Sequence, residues 1–303
     1  MNFLKYSKFY YLISLLIIIP GLIFMLLGGL KFGIDFVGGT DFTFVVTDSE
    51  LFSKDALEEY FQSKEISVIE KYEAEDKFII TTEFLTSNAL VEIKKELTEA
   101  PNSKGVSLET YESIGPSIGK ETRNKALIAM IVASTFIVLY IAYSFRNVPS
   151  PYSSLKFGVS AIIAMLHDVL GIIGIFAILG YFYGIKIDSL FITAMLTITG
   201  FSVHDTIVVF DRIRENLLKM HKNSFEEVVN FSIIETVNRS IATSLSVITV
   251  LFSMFFLGGE TIKYFILALL LGLILGTYSS IFIASPILYH WEMFSQKIKK
   301  NKK

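Results

Sequence analysis

The sequence predicts an α-helical polytopic membrane protein with six transmembrane helices and a small α+β domain between the first two. Of the 303 residues, 52% are hydrophobic, and the mean hydropathy is +0.56, which is high for a soluble domain. Six windows of about 18 or more residues carry almost no charge, so each can cross a hydrocarbon core of about 30 Å. A long polar segment after the first window accounts for the extra domain.

The six windows divide the chain into an ordered set of segments. They lie at Phe9–Leu30, Lys125–Phe145, Lys156–Gly180, Ile185–Phe210, Ser240–Gly259 and Ile262–Tyr289. The first is too long for the apolar part of a signal peptide and has no small-residue cleavage motif after it, so we expect an uncleaved anchor. The predicted domains are an N-terminus with helix 1 (1–30), an extracytoplasmic domain (31–124), helices 2–6 (125–289) and a basic cytoplasmic tail (290–303).

The basic residues predict which side of the membrane each segment faces. They cluster before the first window, after the second, after the fourth and in the tail KIKKNKK, and six crossings place all four clusters on one side. By the positive-inside rule that side is the cytoplasm, which then holds both chain ends. The outward segment from Lys31 to Arg123 has 19 acidic and 10 basic residues, a net charge of −9. This acidity gives no support to nucleic-acid binding, and the absence of cysteine decides little.

The outward segment has the element order of a ferredoxin-like domain. Strands are predicted where β-branched and aromatic residues concentrate, in TDFTFVV, ISVIEKY, KFIITTEF and GVSLETYES. Helices are predicted where apolar residues recur at helical spacing, in SKDALEEYFQSK and TSNALVEIKKELTEA. The resulting order, β-α-β-β-α-β, is that of the ferredoxin-like unit.

Two glycine-containing turns flank this predicted domain. FGIDFVGGTDF covers residues 32–42, and SIGPSIGKET covers residues 113–122. The first matches neither a dinucleotide fingerprint nor a phosphate loop, because no Gly-Lys-Ser/Thr follows it. We therefore expect tight turns where the chain leaves the bilayer, since glycine tolerates positive φ. The residues assigned to these turns are Gly33, Asp35, Gly38, Gly39, Gly115, Pro116 and Gly119.

Three ionisable residues lie within the predicted spans: Asp168 in the third, Asp205 in the fourth and Arg239 where the fifth opens. An ionisable group inside a span costs at least about 2.5–3.5 kcal/mol on insertion scales, so such groups usually face a protein interior and mark an ion pathway. Polar residues share a helical stripe with two of them. The stripe of Asp205 holds Thr199 and Ser202 with Thr206 beside it, and that of Arg239 holds Thr243 and Ser246.

If the two stripes face each other, Asp205 and Arg239 form a pair that protonation of the carboxylate would break. Such a pair is the minimum device with which a proton gradient could shift a helix bundle between two packings, and His204 beside Asp205 could join the relay because imidazole titrates near neutral pH. A purely structural alternative also stands. Asp205 would then bond nearby backbone, and Arg239 would extend to the cytoplasmic surface.

The repeated His-Asp dipeptide, His167–Asp168 and His204–Asp205, raises the question of a metal site. Adjacent residues on a helix point about 100° apart, so neither pair can easily bind one ion with both side chains. No third histidine or zinc-protease motif lies in the predicted spans, and no nucleophile–base pair or phosphate loop is visible. The sequence therefore predicts no metal, no cofactor and no enzymatic activity.

Four motifs together resemble the SecF family of the bacterial Sec protein-export system. They are FGIDFVGGTDF, SIGPSIGKET, LHDVLG and GFSVHDTIVVFDRIRENL, and they occur in the family's order over most of the chain. The resemblance implies half of a resistance-nodulation-division type bundle in the bacterial inner membrane. It also implies Asp205 and Arg239 as proton-pathway residues, with Asp168 in a less defined role. The family often has asparagine where this chain has His204.

The resemblance also implies partners and a mode of action. SecD would supply the other six-helix half, with SecYEG, and YajC as a further candidate, as neighbours. The complex would use the proton motive force to draw preproteins outward. Two alternatives remain open: an exporter of lipids or small molecules, which would need a second six-helix half in the same chain, and a passive scaffold. The coupling ion, proton or sodium, also stays open.

Overall fold

The structure of the protein is a computed structural model that describes residues 3–46, 54–74, 77–99, 106–149 and 151–301. The chain forms two compact units. The sheet unit comprises residues 31–127 and 182–189, and the helix unit comprises residues 1–30, 128–181 and 190–303.

The sheet unit is built on a four-stranded antiparallel sheet with two helices. Its elements are β1 (Lys31–Phe32), α2 (Ile34–Val37), β2 (Gly39–Val46), α3 (Lys54–Ser63), β3 (Val68–Ala74), β4 (Lys77–Thr82), α4 (Ser87–Glu99) and β5 (Val106–Ile114), where α1 is the helix that precedes β1. The spatial order of the main sheet is β3-β4-β2-β5, and each neighbouring pair is antiparallel. This arrangement confirms the predicted β-α-β-β-α-β order of a ferredoxin-like domain.

Buried and partly exposed side chains alternate along β2, and the buried ones mark the face of the sheet that packs on the core. Phe42 and Phe44 are fully buried, whereas Asp41 and Thr43 are partly exposed, as the two-residue period of a strand requires. The ring of Phe42 lies 5.2 Å from that of Phe61 on α3. The buried members of this core are Phe42, Phe44, Leu57, Phe61, Ile66, Phe78, Ile80, Leu85, Leu90 and Ile93.

A second, two-stranded sheet was not predicted from the sequence. β1 pairs in parallel with β6 (Lys186–Ile187), with Lys31 opposite Lys186. Residues 182–189 thereby belong to the sheet unit, whereas the domain predicted at 31–124 contained only the first of its two segments. Two-residue strands are too short for an alternating pattern to be recognised in the sequence.

The helix unit holds six helices in the described part of the chain that are long and apolar enough to cross a membrane. The helices that lie wholly or mostly in this unit are α1 (Ser7–Leu26), α5 (Pro116–Ser144), α6 (Ser154–Tyr183), α7 (Ser189–Lys219), α8 (Phe225–Leu257), α9 (Lys263–Ser279) and α10 (Ser285–Asn301); α5, α6 and α7 each have one end in the sheet unit. A 3-10 turn, Leu4–Tyr6, precedes α1, and a π-helix, Ser280–Ala284, joins α9 to α10. The six candidate spans confirm the predicted number.

The helices extend beyond most of the predicted windows because hydropathy marks only the apolar part of a helix. α5 begins at Pro116 rather than near Lys125, and α8 begins at Phe225 rather than near Ser240. Proline suits the first turn of a helix because its missing N–H is not needed there. Ser224 caps α8 through a capping box with Glu227, in which each accepts a backbone N–H from the other.

Small residues allow α1 and α6 to pack closely. A Cβ atom built on Gly21 of α1 would lie only 2.4 Å from the Cα atom of Gly174. A Cβ atom on Gly171 would lie 3.1 Å from Leu275 of α9. Interfaces of this kind are typical of helices that associate inside a membrane.

Ion pairs lie near the ends of the helices, outside their apolar middle parts. Arg212 of α7 donates to both carboxylate oxygens of Glu235 on α8, each at 2.7 Å. Lys156 of α6 pairs with the buried Glu292 of α10 at 2.7 Å. These contacts hold the helices in register at one end of the helix unit.

Candidate functional site

Asp168 is the most completely buried ionisable residue among those that the sequence analysis placed in the spans. Its exposed fraction is 1%. One carboxylate oxygen, Oδ2, accepts hydrogen bonds from Ser202 Oγ of α7 at 2.5 Å and from Ser279 Oγ of α9 at 2.6 Å. The other, Oδ1, lies 2.9 Å from Nδ1 of His167. We call these four residues the buried carboxylate network; it joins three helices.

The helical repeat explains why these residues meet. On α7, Thr199, Ser202 and Thr206 are all buried, whereas Asp205, which was predicted on the stripe of Thr199 and Ser202, is partly exposed. On α6, small or polar residues recur at spacings of three or four along the buried face: Ser160, Ala164, His167, Asp168, Gly171 and Gly174. On α9, Gly276 leaves space beside Ser202, because a Cβ atom there would lie 3.2 Å from the Cβ atom of Ser202.

Hydroxyl groups continue the network toward the π-helix. Thr206 Oγ1 and Ser280 Oγ are 2.9 Å apart, and Ser280 Oγ also donates to the backbone oxygen of Ser202 at 3.3 Å. Ser280 begins the π-helix, a geometry that is rare and occurs frequently at functional sites. Ser279 and Ser280 thus contact different partners, Asp168 and Thr206.

Asp205 lies in a less enclosed place than Asp168. Its side chain is 14% exposed, and its contacts are long: Thr277 Oγ1 donates to Oδ2 at 3.5 Å, and His204 Nδ1 is 3.9 Å from Oδ1. Thr277 is shared with Ser244 of α8, whose hydroxyl is 2.6 Å from Oγ1 of Thr277. The His204 side chain is 71% exposed. Asp205 thus lies at the edge of the helix unit.

The predicted opposition of the Asp205 and Arg239 stripes is wrong for this structure. Among the described residues, Asp205 and Arg239 form no ion pair; Arg239 and Thr243 lie on the exposed side of α8. The buried positions of α8 nearby are Ser240 and Ser244. A helix turns about 100° per residue, so a stripe through residues 239, 243 and 246 points away from the stripe through 240 and 244. Ser244, on the buried side of α8, contacts Thr277, which in turn donates to Asp205.

The glycine-containing motifs form close backbone contacts within the sheet unit. Gly38 has φ of +77°, and a Cβ atom on it would lie 2.7 Å from the Cα atom of Pro116. A Cβ atom on Gly119 would lie 2.8 Å from the backbone nitrogen of Gly38. The two motifs therefore pack on each other. The positive φ expected of turn glycines is present at Gly38 and at Gly39, which also begins β2. The turn assignment is wrong for Asp35, which lies in α2, and for Pro116 and Gly119, which lie in the first turn of α5.

Asp35 holds the beginning of α7. Its Oδ2 atom accepts from the backbone N–H of Ser189 at 2.8 Å and from the Ser189 hydroxyl at 2.6 Å. Gly33 donates its N–H to Ile187 at 2.8 Å just before this point. A carboxylate at the N-terminus of a helix satisfies a free N–H and favours the helix dipole, so Asp35 acts as a cap supplied by a distant segment.

Sequence reasoning missed five contributors to the two sites: His167, Ser244, Thr277, Ser279 and Ser280. The signal was present for three of them, because GTYSS places hydroxyl groups in an otherwise apolar run. His167 was considered only as a metal ligand. In the described part of the chain, no group of three or more metal-ligating side chains is close enough to hold an ion.

Comparison with known proteins gives the family. Residues 93–294 match the family described as protein export membrane protein SecD/SecF, C-terminal. The protein translocase subunit SecF of Thermobaculum terrenum is 46% identical over 301 residues, which covers 96% of this chain and 94% of the relative. The chain belongs to the SecF family. Protein translocase subunit SecF of Anaerolinea thermophila is 37% identical with the same coverage of both chains.

A solved structure supports the same assignment. The crystal structure of SecDF, a translocon-associated membrane protein from Thermus thermophilus, matches with a TM-score of 0.81 at 29% identity. The match covers 96% of this SecF family chain but 38% of the SecDF chain. With six apolar helices and this fold, the chain is a multi-pass membrane protein of the type found in SecDF.

Proposed function

We propose that this chain is an auxiliary subunit of the Sec protein translocase, which works with SecD and uses the proton motive force to promote preprotein translocation and release. It is a transport component without enzymatic activity. The observation that carries the energy-coupling part is the buried carboxylate network. An aspartate that is 1% exposed in an apolar helix and bonds to two further helices is expensive to bury, and such residues usually serve ion pathways.

The proposed proton pathway uses Asp168 and Asp205, which lie on neighbouring helices at different depths of burial. Ser202, which donates to Asp168, precedes Asp205 by three residues on the same helix. Protonation of either carboxylate removes a charge and weakens the hydrogen bonds that it accepts, so it favours a different packing of α6, α7 and α9. Arg239 and His204 are exposed in this chain, and we propose that they act on the face that SecD covers.

The proposed assembly with SecD is based on the apolar surface that the helix unit leaves exposed. α8 is apolar yet largely exposed, with Leu245, Val250, Phe252, Phe256 and Leu257 among its exposed side chains. SecD is the expected cover for much of this surface, because the SecDF relative contains both parts in one chain. SecYEG, and YajC as a further candidate, would be neighbours of the pair.

The proposed location is the bacterial inner membrane with both chain ends in the cytoplasm. The basic residues near the C-terminal end of α7 and in the tail support this orientation. The acidic segment between residues 31 and 124 then forms the extracytoplasmic domain, where it can meet a preprotein as it emerges.

The test is release of a secreted preprotein from spheroplasts that contain this chain with SecD at matched levels, with and without an uncoupler. We expect wild type to be sensitive to the uncoupler, and Asp168→Asn, Asp205→Asn and Arg239→Lys to be as slow as uncoupled wild type. Asp211→Asn is the matched control, because Asp211 lies on α7 six residues after Asp205 and pairs with Arg214 at an exposed position. Full gradient-dependent release in all three variants would mean that these residues are structural and that SecD carries the proton. Release by wild type that is insensitive to the uncoupler and to the sodium gradient would indicate a passive scaffold. Insensitivity to the uncoupler with dependence on sodium would change the coupling ion.

A further inference from the structure

An apolar groove runs along three helices of the helix unit. It has a volume of about 420 Å³ and is lined by α1, α6 and the last span, which the π-helix and α10 form together. Within each helix the lining residues recur at spacings of three or four, so each helix contributes one face and the groove follows the helix axes. We call this space the α1–α6 groove. Six of its lining residues are Tyr11, Leu15 and Ile18 of α1, and Ile163, Leu166 and Leu170 of α6.

The glycine contact between α1 and α6 explains where the groove ends. The backbones of Gly21 and Gly174 are in direct contact, since a Cβ atom on Gly21 would lie 2.4 Å from the Cα atom of Gly174. Ile18 lies three residues before Gly21, and Leu170 lies four residues before Gly174. Toward the N-terminal ends of both helices, larger side chains therefore replace glycine, and the helices leave a gap between them.

The open side of the groove faces the membrane. The exposed fractions of Leu15 and Leu166 are 50% and 49%, although both residues lie in apolar spans. From Tyr11 to Ile18 a helix rises about 10 Å, and a helix piece of that length and about 10 Å diameter fills about 800 Å³. That is about twice the volume of the groove, which instead falls within the range of about 300–1,000 Å³ for small-molecule sites. The groove therefore fits a narrow apolar chain better than a helix.

The end of the groove nearest the chain termini carries polar and basic groups. Lys8 lies three residues before Tyr11 on α1, and His290 lies three residues after Ile287 on α10, so both continue the lining faces of their helices. The two helices meet here, because Ser7 Oγ is 2.9 Å from Nε2 of His290 and the rings of Tyr11 and His290 are 6.3 Å apart. Lys8 is close enough for its charge to act on His290.

Positive charge is left over at this end. Lys156 of α6 is also present, but its charge is cancelled by Glu292 of α10 at 2.7 Å. Glu226 of α8 accepts a hydrogen bond from a tyrosine of α10 at 3.1 Å. α1 carries no acidic residue, and Lys8 is exposed and forms no ion pair within the described part of the chain. A further lysine, Lys297, follows on the exposed side of α10.

Aromatic residues mark the depth of this end in the membrane. Tyr289 and Trp291, the one tryptophan of the chain, flank His290, and Tyr11 follows Lys8 by one helical turn. Tyrosine and tryptophan concentrate at the level of the lipid headgroups. Lys8 and His290 are therefore expected at the headgroups, with the groove extending from them into the hydrocarbon core.

We propose that the α1–α6 groove binds one anionic phospholipid from the leaflet that holds the chain ends. One acyl chain lies in the groove, and the phosphate lies between the ammonium group of Lys8 and the ring of His290, where charge-assisted hydrogen bonds are available. An apolar groove that ends at an uncompensated interfacial cation matches a molecule with an apolar tail and an anionic head. The inference goes beyond the proposed function and is independent of the coupling ion.

The first test is native mass spectrometry of the full chain in complex with SecD, with phosphatidylglycerol or phosphatidylcholine of the same acyl chains added. We expect wild type to retain one more molecule of phosphatidylglycerol than of phosphatidylcholine. Lys8→Gln should weaken this binding about fivefold, because it removes one cation at the membrane surface. Lys222→Gln, in the exposed loop between α7 and α8, is the matched control and should leave the binding unchanged.

The second test fills the groove. Leu15→Phe adds a ring at an exposed lining position and should weaken phosphatidylglycerol binding at least as much as Lys8→Gln does. Leu16→Phe is the matched control, because Leu16 is 66% exposed and lies outside the groove. The substituted positions are all exposed, so the variants should fold. A phosphatidylglycerol with a diazirine in its acyl chain should crosslink to residues 11–18 and 163–170.

Any one of four results would overturn the inference: equal retention of the two lipids, unchanged binding in Lys8→Gln, equal binding in Leu15→Phe and Leu16→Phe, or crosslinks spread evenly over the exposed helix faces. Crosslinks that form in the chain alone and vanish when SecD is added would also overturn it, because a helix of the partner then covers the groove. The proposed function is tested separately, by preprotein release.

Discussion

The two His-Asp pairs have the same sequence and opposite surroundings. On α6, Asp168 is enclosed and makes three short hydrogen bonds, one of them to the neighbouring His167 at 2.9 Å. On α7, Asp205 has contacts of 3.5 Å and 3.9 Å, and His204 extends outward with 71% of its side chain exposed. The first pair is completed by this chain, whereas the second lies where a partner can contribute.

This difference indicates a division of labour within the proposed pathway. A pair that is fully bonded within one chain can hold a charge in a fixed geometry, because its donors are already in place. A pair at the edge can respond to a second subunit, because its bonds are weak and its histidine is accessible. Within the proposed pathway, we therefore propose that the enclosed pair holds its charge in place and that the exposed pair exchanges contacts with the partner.

The largest expected difference between the pairs is in stability. Asp168→Ala leaves the hydroxyls of Ser202 and Ser279 and Nδ1 of His167 without their acceptor, which should lower the free energy of unfolding by about 2–4 kcal/mol. Asp205→Ala should cost about 0.5 kcal/mol, because its contacts are at the limit of hydrogen-bond length. The measurement is SDS titration of each purified variant in mixed micelles, followed by circular dichroism.

If Asp168→Ala and Asp205→Ala lowered the free energy of unfolding equally, the distinction between an enclosed pair and an open pair would be wrong. A larger loss for Asp205→Ala would reverse it. Asp211→Ala on the same helix, where the carboxylate is 55% exposed, should change the free energy of unfolding by less than about 0.5 kcal/mol.

The sequence was sufficient for the number of spans and the order of elements in the sheet unit. These features depend on local periodicity, which one chain displays directly. The sequence was not sufficient for the pairing of β1 with β6 or for the cap that Asp35 provides to α7. Both join residues more than 150 positions apart, and no local pattern encodes which distant segment will meet them.

The sequence identified the ionisable residues of the candidate site but not the contacts that they make. Asp168, Asp205 and Arg239 were identified because a charge is costly to bury in a membrane span. That cost does not say which way each side chain points around its helix axis. The prediction turned α8 by one position, so it chose Thr243 where the structure places Ser244 near Asp205. An error of one residue is about 100° on a helix, enough to exchange the exposed side for the buried side.

A second, smaller effect should come from the space beside the enclosed pair. Gly276→Ala would place a Cβ atom 3.2 Å from the Cβ atom of Ser202 and 3.7 Å from Oδ2 of Asp168. We expect a loss of about 1–2 kcal/mol in the free energy of unfolding, together with slower gradient-dependent release, because α7 and α9 must move apart. Gly200→Ala on α7 is the matched control.

A Cβ atom on Gly200 meets nothing within 4 Å, so this control should be neutral or slightly stabilising through better helix propensity. If Gly276→Ala were as well tolerated as Gly200→Ala, the enclosed pair would have more room than its hydrogen bonds indicate. The distinction between a rigid pair and an adaptable pair would then be lost.

The smallest expected effect compares two single hydroxyl groups. Ser279→Ala removes one of the three donors to Asp168 and should cost about 1 kcal/mol, the upper part of the range for hydrogen bonds between membrane helices. Ser246→Ala removes an exposed hydroxyl on α8 that bonds only the backbone oxygen of Thr243, and should cost close to zero. Both are measured by the same SDS titration. A negligible cost for Ser279→Ala would mean that Ser202 and His167 suffice to hold the carboxylate of Asp168 in place, and that the hydrogen bond from α9 adds nothing to stability.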